Sequence, residues 1–148
     1  MISSKVTCLA ALAASFCFAQ APTGWKVVHD KTNGCQVSVP PTWKVGPVVS
    51  MANAPADQGD LSVSSRAGRT LKPFDDMTQK ALMVDKMIEN SSKMVFYSNK
   101  PTASDNPITP YRAVVPGKGG TCSAIISVRK GISEEEVKKI AATLSASN

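Results

Sequence analysis

The chain has a single histidine, His29, and only 5% aromatic residues. Beyond residue 20 it has no apolar run approaching the roughly 18 residues or more that a membrane-spanning helix needs. The lone histidine leaves little for catalysis. Any Ser-His or Cys-His arrangement would have to be built on it, and no Gly-x-Ser-x-Gly elbow frames a nucleophile. The sparse aromatics are not interleaved with the cations, as they would be in a nucleic-acid-binding stripe. No internal repeat or low-complexity block is present.

What is there begins with "MISSKVTCLAALAASFCFAQAP". One cation, Lys5, precedes an apolar run from Val6 to Phe18 diluted with small residues, which is the pattern of a secretory signal peptide. Cleavage after Ala19 or Ala21 is compatible with the small residues; Ala19 is preferred because cleavage after Ala21 would leave Pro22 first. Phe16 before Cys17 argues against lipid attachment. The expected exported chain is residues 20–148, enough for one domain with its own core. The whole sequence carries 17 Lys+Arg against 11 Asp+Glu, net charge +6, and loses only Lys5 with the leader. Its cations are scattered (Lys26, Lys31, Lys44, Arg66, Arg69, Lys72, Lys100, Arg112, Lys118, Arg129 and Lys130), as expected of a solvated basic surface.

Strand signals dominate. "GWKVVHD" and "GCQVSVP" flank a turn rich in Asp, Thr, Asn and Gly. A two-residue Asn33-Gly34 turn would set Cys35, Val37 and Val39 opposite Thr32, Asp30 and Val28. A five-residue loop, Asp30 to Gly34, sets them opposite His29, Val27 and Trp25, and is expected because it gathers the apolar side chains on one face. Pro40 and Pro41 end that strand, Trp43 opens another that "KVGPVVSMA" continues, and "LSVSSRAG" alternates as a further strand after a loop at 52–60. Pro73 sits at a first helical position with Asp75 and Asp76 in the first turn. Phe74, Met77, Ala81, Val84 and Ile88, widened by Met83 and Met87, predict an amphipathic helix to about Glu89 whose stripe is core. "KMVFYS" is a strand. "YRAVVP" and "TCSAIISVRKG" form a hairpin across "GKGG", the second strand being central by its apolar content, with Cys122, Ala124, Ile126 and Val128 on one face. "SEEEVKKIAATL" carries a capping box, Ser133 with Glu136, before a stripe of Val137, Ile140, Ala141 and Leu144.

This order of parts, with "VSVPPTWKV" at its start, resembles the PsbP-like α/β/α sandwich over about Gly24 to Leu144. The resemblance implies an α+β fold, a mostly antiparallel sheet flanked by helices. Members share a scaffold and not a chemistry, so no catalytic residue is implied.

With Cys8 and Cys17 gone in the leader, Cys35 and Cys122 remain as an even pair in an exported chain, and both point to the apolar face. A disulfide is expected. The rival is a metal-binding or redox site of Cys35, Cys122 and His29, which lacks a fourth ligand. "PGKGG" is followed by a strand and so reads as a hairpin turn, not a phosphate loop. Asp75 and Asp76, adjacent on a helix, diverge by about 100° and suit a helix start better than an acid/base pair. "NSS" at Asn90 matches a glycosylation acceptor. The expectation is therefore a secreted or periplasmic monomer without cofactor or enzymatic activity. It would bind a protein or cell-envelope ligand at a sheet edge or through the loops Ala52 to Asp60 and Asn99 to Pro110.

Overall fold

The computed structural model describes residues 20–47 and 49–147; the expected leader, with Cys8 and Cys17, lies outside them. The strands are β1 (Lys26–His29), β2 (Cys35–Val39), β3 (Lys44–Val45), β4 (Met51–Asn53), β5 (Gly59–Ala67), β6 (Val84–Asn90), β7 (Val95–Asn99), β8 (Thr109–Gly117), β9 (Gly120–Val128) and β10 (Ser145–Ala146). Two helices, α1 (Asp76–Ala81) and α2 (Glu134–Ala141), complete an α+β fold. All pairings are antiparallel: a seven-stranded sheet ordered β3-β4-β5-β9-β8-β7-β6 and a three-stranded sheet ordered β1-β2-β10.

The alternation expected of β9 is observed. Cys122, Ala124, Ile126 and Val128 are buried while Ser123, Ile125 and Ser127 are half-exposed, and the strand lies between β5 and β8. Inner-face residues Leu61, Val63, Phe96, Ala113 and Val115 join them. Onto this face pack α2 and the small sheet. Ser133 accepts a hydrogen bond from Glu136 N at 3.1 Å, and Val137, Ile140, Ala141 and Leu144 are buried. Each such side chain, fully withdrawn from water, contributes roughly 1.5–3 kcal/mol, less for alanine. Val28, Val37, Val39 and Trp43 close the core from the small sheet's side. Gly120 is needed where β9 begins, because a Cβ there would run into the Arg66 carbonyl of β5.

Several expectations are corrected. The first hairpin pairs Val28 with Val37 and His29 with Gln36, so neither expected register holds. The loop is Lys31–Gly34, closed by Asp30 N donating to Cys35 O at 3.0 Å. Loop chemistry decides this register. The buried Asp30 carboxylate accepts from Cys35 N, Thr32 N and Thr32 Oγ1, which locks a four-residue turn whatever the apolar tally of Trp25 and Val27. Val27, counted as core, is 45% exposed.

The segment after Trp43 is two short strands in a hairpin, β3 and β4, instead of one, and residues 52–60 hold β4's end and a 3-10 turn, Pro55–Asp57. The expected helix from Pro73 to Glu89 shrinks to the six residues of α1, none of them buried. Met83 leaves it in a left-handed conformation (φ 52°), and an edge strand follows. That strand carries register shifts between Val84 and Lys86 and between Met87 and Glu89. As a result Val84 and Met87, three residues apart, lie opposite Asn99 and Tyr97, two apart. A bulged strand thus produces the three- and four-residue spacing of a helix.

Candidate functional site

Cys35 and Cys122 are joined in a disulfide, their Cα atoms 5.5 Å apart, within the core. His29 is not brought to them. It ends β1 on the other face, half-buried, with Nδ1 3.4 Å from Ser147 Oγ. The thiolates that a zinc or copper site would use are taken up in the disulfide, and among the described residues no cluster of three or more His, Cys, Asp or Glu lies together.

The two expected contact loops meet at one end of the large sheet. Arg129 bridges them, its guanidinium donating to Asp57 O at 3.2 Å and to Asn106 O. The hollow between them, lined by Asn53, Asp57, Asp60, Ile108 and Ser127 among others, is about 180 Å³. A larger cleft of about 590 Å³ lies elsewhere, on the outer face of the seven-stranded sheet.

Strand order explains this cleft. Because β5 and β6 are separated by β9, β8 and β7, residues 68–83 must cross the outer face of the sheet to connect them. The crossing begins with Gly68 N donating to Gly119 O at 2.8 Å, and Gly68 takes a φ of 71° that favours glycine. Residues 68–75 then run as an extended strap, followed by α1. Phe74 anchors the strap's far end, its ring centroid 5.7 Å from that of Tyr97. Asn90 on the edge strand holds the same residue by its backbone, accepting from Phe74 N at 2.7 Å and donating to Phe74 O at 2.9 Å. Gln79 adds a bond to Phe74 O at 3.2 Å.

The floor comes from outward positions of the central strands: Ser64 and Arg66 on β5, Thr121, Ser123 and Ile125 on β9, Arg112 and Val114 on β8, Tyr97 on β7. Register sets them in rows. Arg66 pairs with Thr121; Ser64, Ser123 and Val114 are level; Ile125, Arg112 and Tyr97 are level one row on. Ser64 and Ser123 hydroxyls lie 3.0 Å apart. The strap supplies Arg69, Leu71, Lys72, Phe74 and Asp75.

Burial raises the Tyr97 phenol pKa, opposed by the Arg112 guanidinium that bonds to it. Asp75 is lowered by its hydrogen bonds from Thr78, whose backbone N donates at 2.8 Å as the cap of α1. The cleft therefore combines cations, hydroxyls and an apolar middle of Leu71, Phe74, Val114 and Ile125. Sequence reading had these cations only as scattered surface. The available signal was the outward alternation Ser64-Arg66 and Arg112-Val114, opposite the buried Leu61-Val63 and Tyr111-Ala113.

No protein-family model matches the chain, and no curated protein is similar to it. Among solved structures, a crystal structure of a protein from Bacteroides thetaiotaomicron is similar, with a TM-score of 0.51 and 17% identity over 77% of this chain. The chain spans 45% of that protein's length, and the likeness is one of fold.

Proposed function

We propose that the chain is an exported, non-enzymatic binding module on a PsbP-like scaffold, and that its ligand enters the cleft beneath the 68–75 strap. The observation that carries this is the cleft itself: about 590 Å³, walled by a segment that contributes no buried side chain to the core, in the size range of small-molecule sites. Export is supported by the leader-like N-terminus and by a disulfide between residues 87 apart, which suits an oxidising compartment. The PsbP-like reading is supported by the α+β order of parts around "VSVPPTWKV". A metal or redox role for Cys35, Cys122 and His29 has the observed register against it.

The test is fluorescence titration of the full chain with a neutral probe, N-phenyl-1-naphthylamine, and an anionic one, anilinonaphthalene sulfonate. Saturable one-site binding of either is expected, lost in Val114→Trp, which fills the floor, and in Leu71→Trp, which fills the roof. Binding of neither probe, or binding unchanged in both variants with native melting curves, refutes the site.

A further inference from the structure

We infer that the ligand of this cleft is an anionic amphiphile, a molecule with a carboxylate or phosphate head and an apolar body. The inference rests on the reading of the cleft as a binding site and adds its chemistry. Arg66, Arg69, Lys72 and Arg112 all line it, against Asp75 as the one lining carboxylate. Asp75 is already engaged, its Oδ1 accepting from Thr78 N. Among the described residues the ion pairs join Lys86 and Lys138 to Glu134 and Glu135, so no carboxylate lies within bonding reach of the cleft's cations. Arg66 and Arg112 on the floor and Arg69 and Lys72 on the strap set four positive charges around one cleft, a field that favours an anion.

The rows of the floor separate two recognition zones. Arg66 stands beside the paired hydroxyls of Ser64 and Ser123, and Arg69 follows it directly across the Ala67-Gly68 turn. Arginine presents a planar fork that matches carboxylate and phosphate oxygens, and hydroxyls donate to the oxygens left over. Val114 and Ile125 continue from there with Leu71 and Phe74, and this stretch takes apolar surface as far as Arg112, which stands between Ile125 and Tyr97 and is turned to the Tyr97 phenol. A bare phosphate would leave the apolar stretch unused. A neutral lipid would leave the guanidinium groups of Arg66 and Arg69 without an anion to pair with.

The experiment is displacement of bound N-phenyl-1-naphthylamine, or direct calorimetry if the neutral probe does not bind, by monomeric decanoate, decyl phosphate, decanol, decyltrimethylammonium and inorganic phosphate, with anionic phospholipid vesicles in parallel. Decanoate or decyl phosphate is expected to act at a concentration at least tenfold below that of decanol, and the pair separates a carboxylate from a phosphate head. Arg66→Glu with Arg69→Glu should abolish that preference and leave decanol unchanged, whereas Lys139→Glu on α2 should leave it intact. Equal potency of decanol and decanoate overturns the anionic class while the cleft survives, provided Val114→Trp still blocks both. Loss of preference in Lys139→Glu reduces the effect to overall charge and overturns it too, as does binding to vesicles with none to the monomers. Should no compound bind, the cleft reading itself falls.

Discussion

Asp30 Oδ1 accepts a hydrogen bond from Cys35 N at 2.8 Å, so a buried carboxylate fastens the residue that begins the disulfide. Its other oxygen takes Thr32 Oγ1 at 2.6 Å and Ser65 Oγ at 2.8 Å, the latter from the large sheet. Burial alone would raise this carboxyl's pKa, but the bonds from Thr32, Cys35 and Ser65 outweigh it and hold the group well below the ordinary carboxylate range. A depressed folded pKa means that the contribution to stability is complete above the unfolded value near 3.8 and is lost as pH falls from there toward the folded one. Asp30→Asn, which cannot accept with both atoms, should cost about 2 kcal/mol at pH 7. Urea melts at pH 7, 4 and 2 should show the gap between wild type and variant narrowing only below about pH 4. A gap unchanged down to pH 2 would mean that the carboxylate charge is irrelevant.

The disulfide closes a long loop, residues 87 apart in sequence, and ties the small sheet to the central strand of the large one. Chain-entropy reasoning gives about 4.5 kcal/mol for such a closure. The protein denatured without reductant should take up no iodoacetamide and should be two hydrogens lighter in mass than its reduced form. Cys35→Ala with Cys122→Ala should lower unfolding free energy by several kcal/mol. Labelling of both thiols in the native protein would remove the staple.

Much of this was legible, and the limits are physical. The alternation of Cys122 to Val128 and the Ser133 cap are local signals, and each reads correctly because one strand face or one turn determines it. The hairpin register was not legible because Asp30 closes the loop with its side chain, a contact that apolar counting ignores. The 3.6-like spacing from Phe74 to Ile88 deceived for a different reason: a strap, a short helix and a doubly bulged edge strand share it. The cleft was the least accessible feature. It exists because β5 and β6 sit four places apart in one sheet, and neighbour order is not written in any single segment.

Met83 distinguishes a turn from the continuous helix. With φ at 52° and the residue 78% exposed, it has left-handed backbone and little packing to lose, while Asn99 Nδ2 donates to its carbonyl at 2.9 Å. Met83→Gly should be neutral or stabilising by up to about 1 kcal/mol, and Met83→Val destabilising by about 1 kcal/mol or more. In a helix interior the ranking reverses, glycine being worse than the parent by about 1 kcal/mol. Thermal melts of the two variants give the order directly.

Asn90 and Phe74 bear on whether the roof of the cleft is a fixed wall. The paired bonds between the Asn90 side-chain amide and the Phe74 backbone, 2.7 and 2.9 Å, hold the strap to the edge strand, and the Tyr97 ring supports the same residue. Because Asn90 is exposed, removing its amide exchanges these bonds for water and should cost the whole protein only about 1 kcal/mol. The local effect should be larger. In Asn90→Ala the Phe74 amide loses its acceptor and should exchange with deuterium at least tenfold faster, while the amides of β9 keep their protection, since the core they belong to does not include the strap. Asn90→Asp supplies the acceptor for Phe74 N without the donor to Phe74 O, and should fall between the two. If Phe74 exchanges no faster in Asn90→Ala, the aromatic contact with Tyr97 is what holds the roof, and Tyr97→Leu should release it instead.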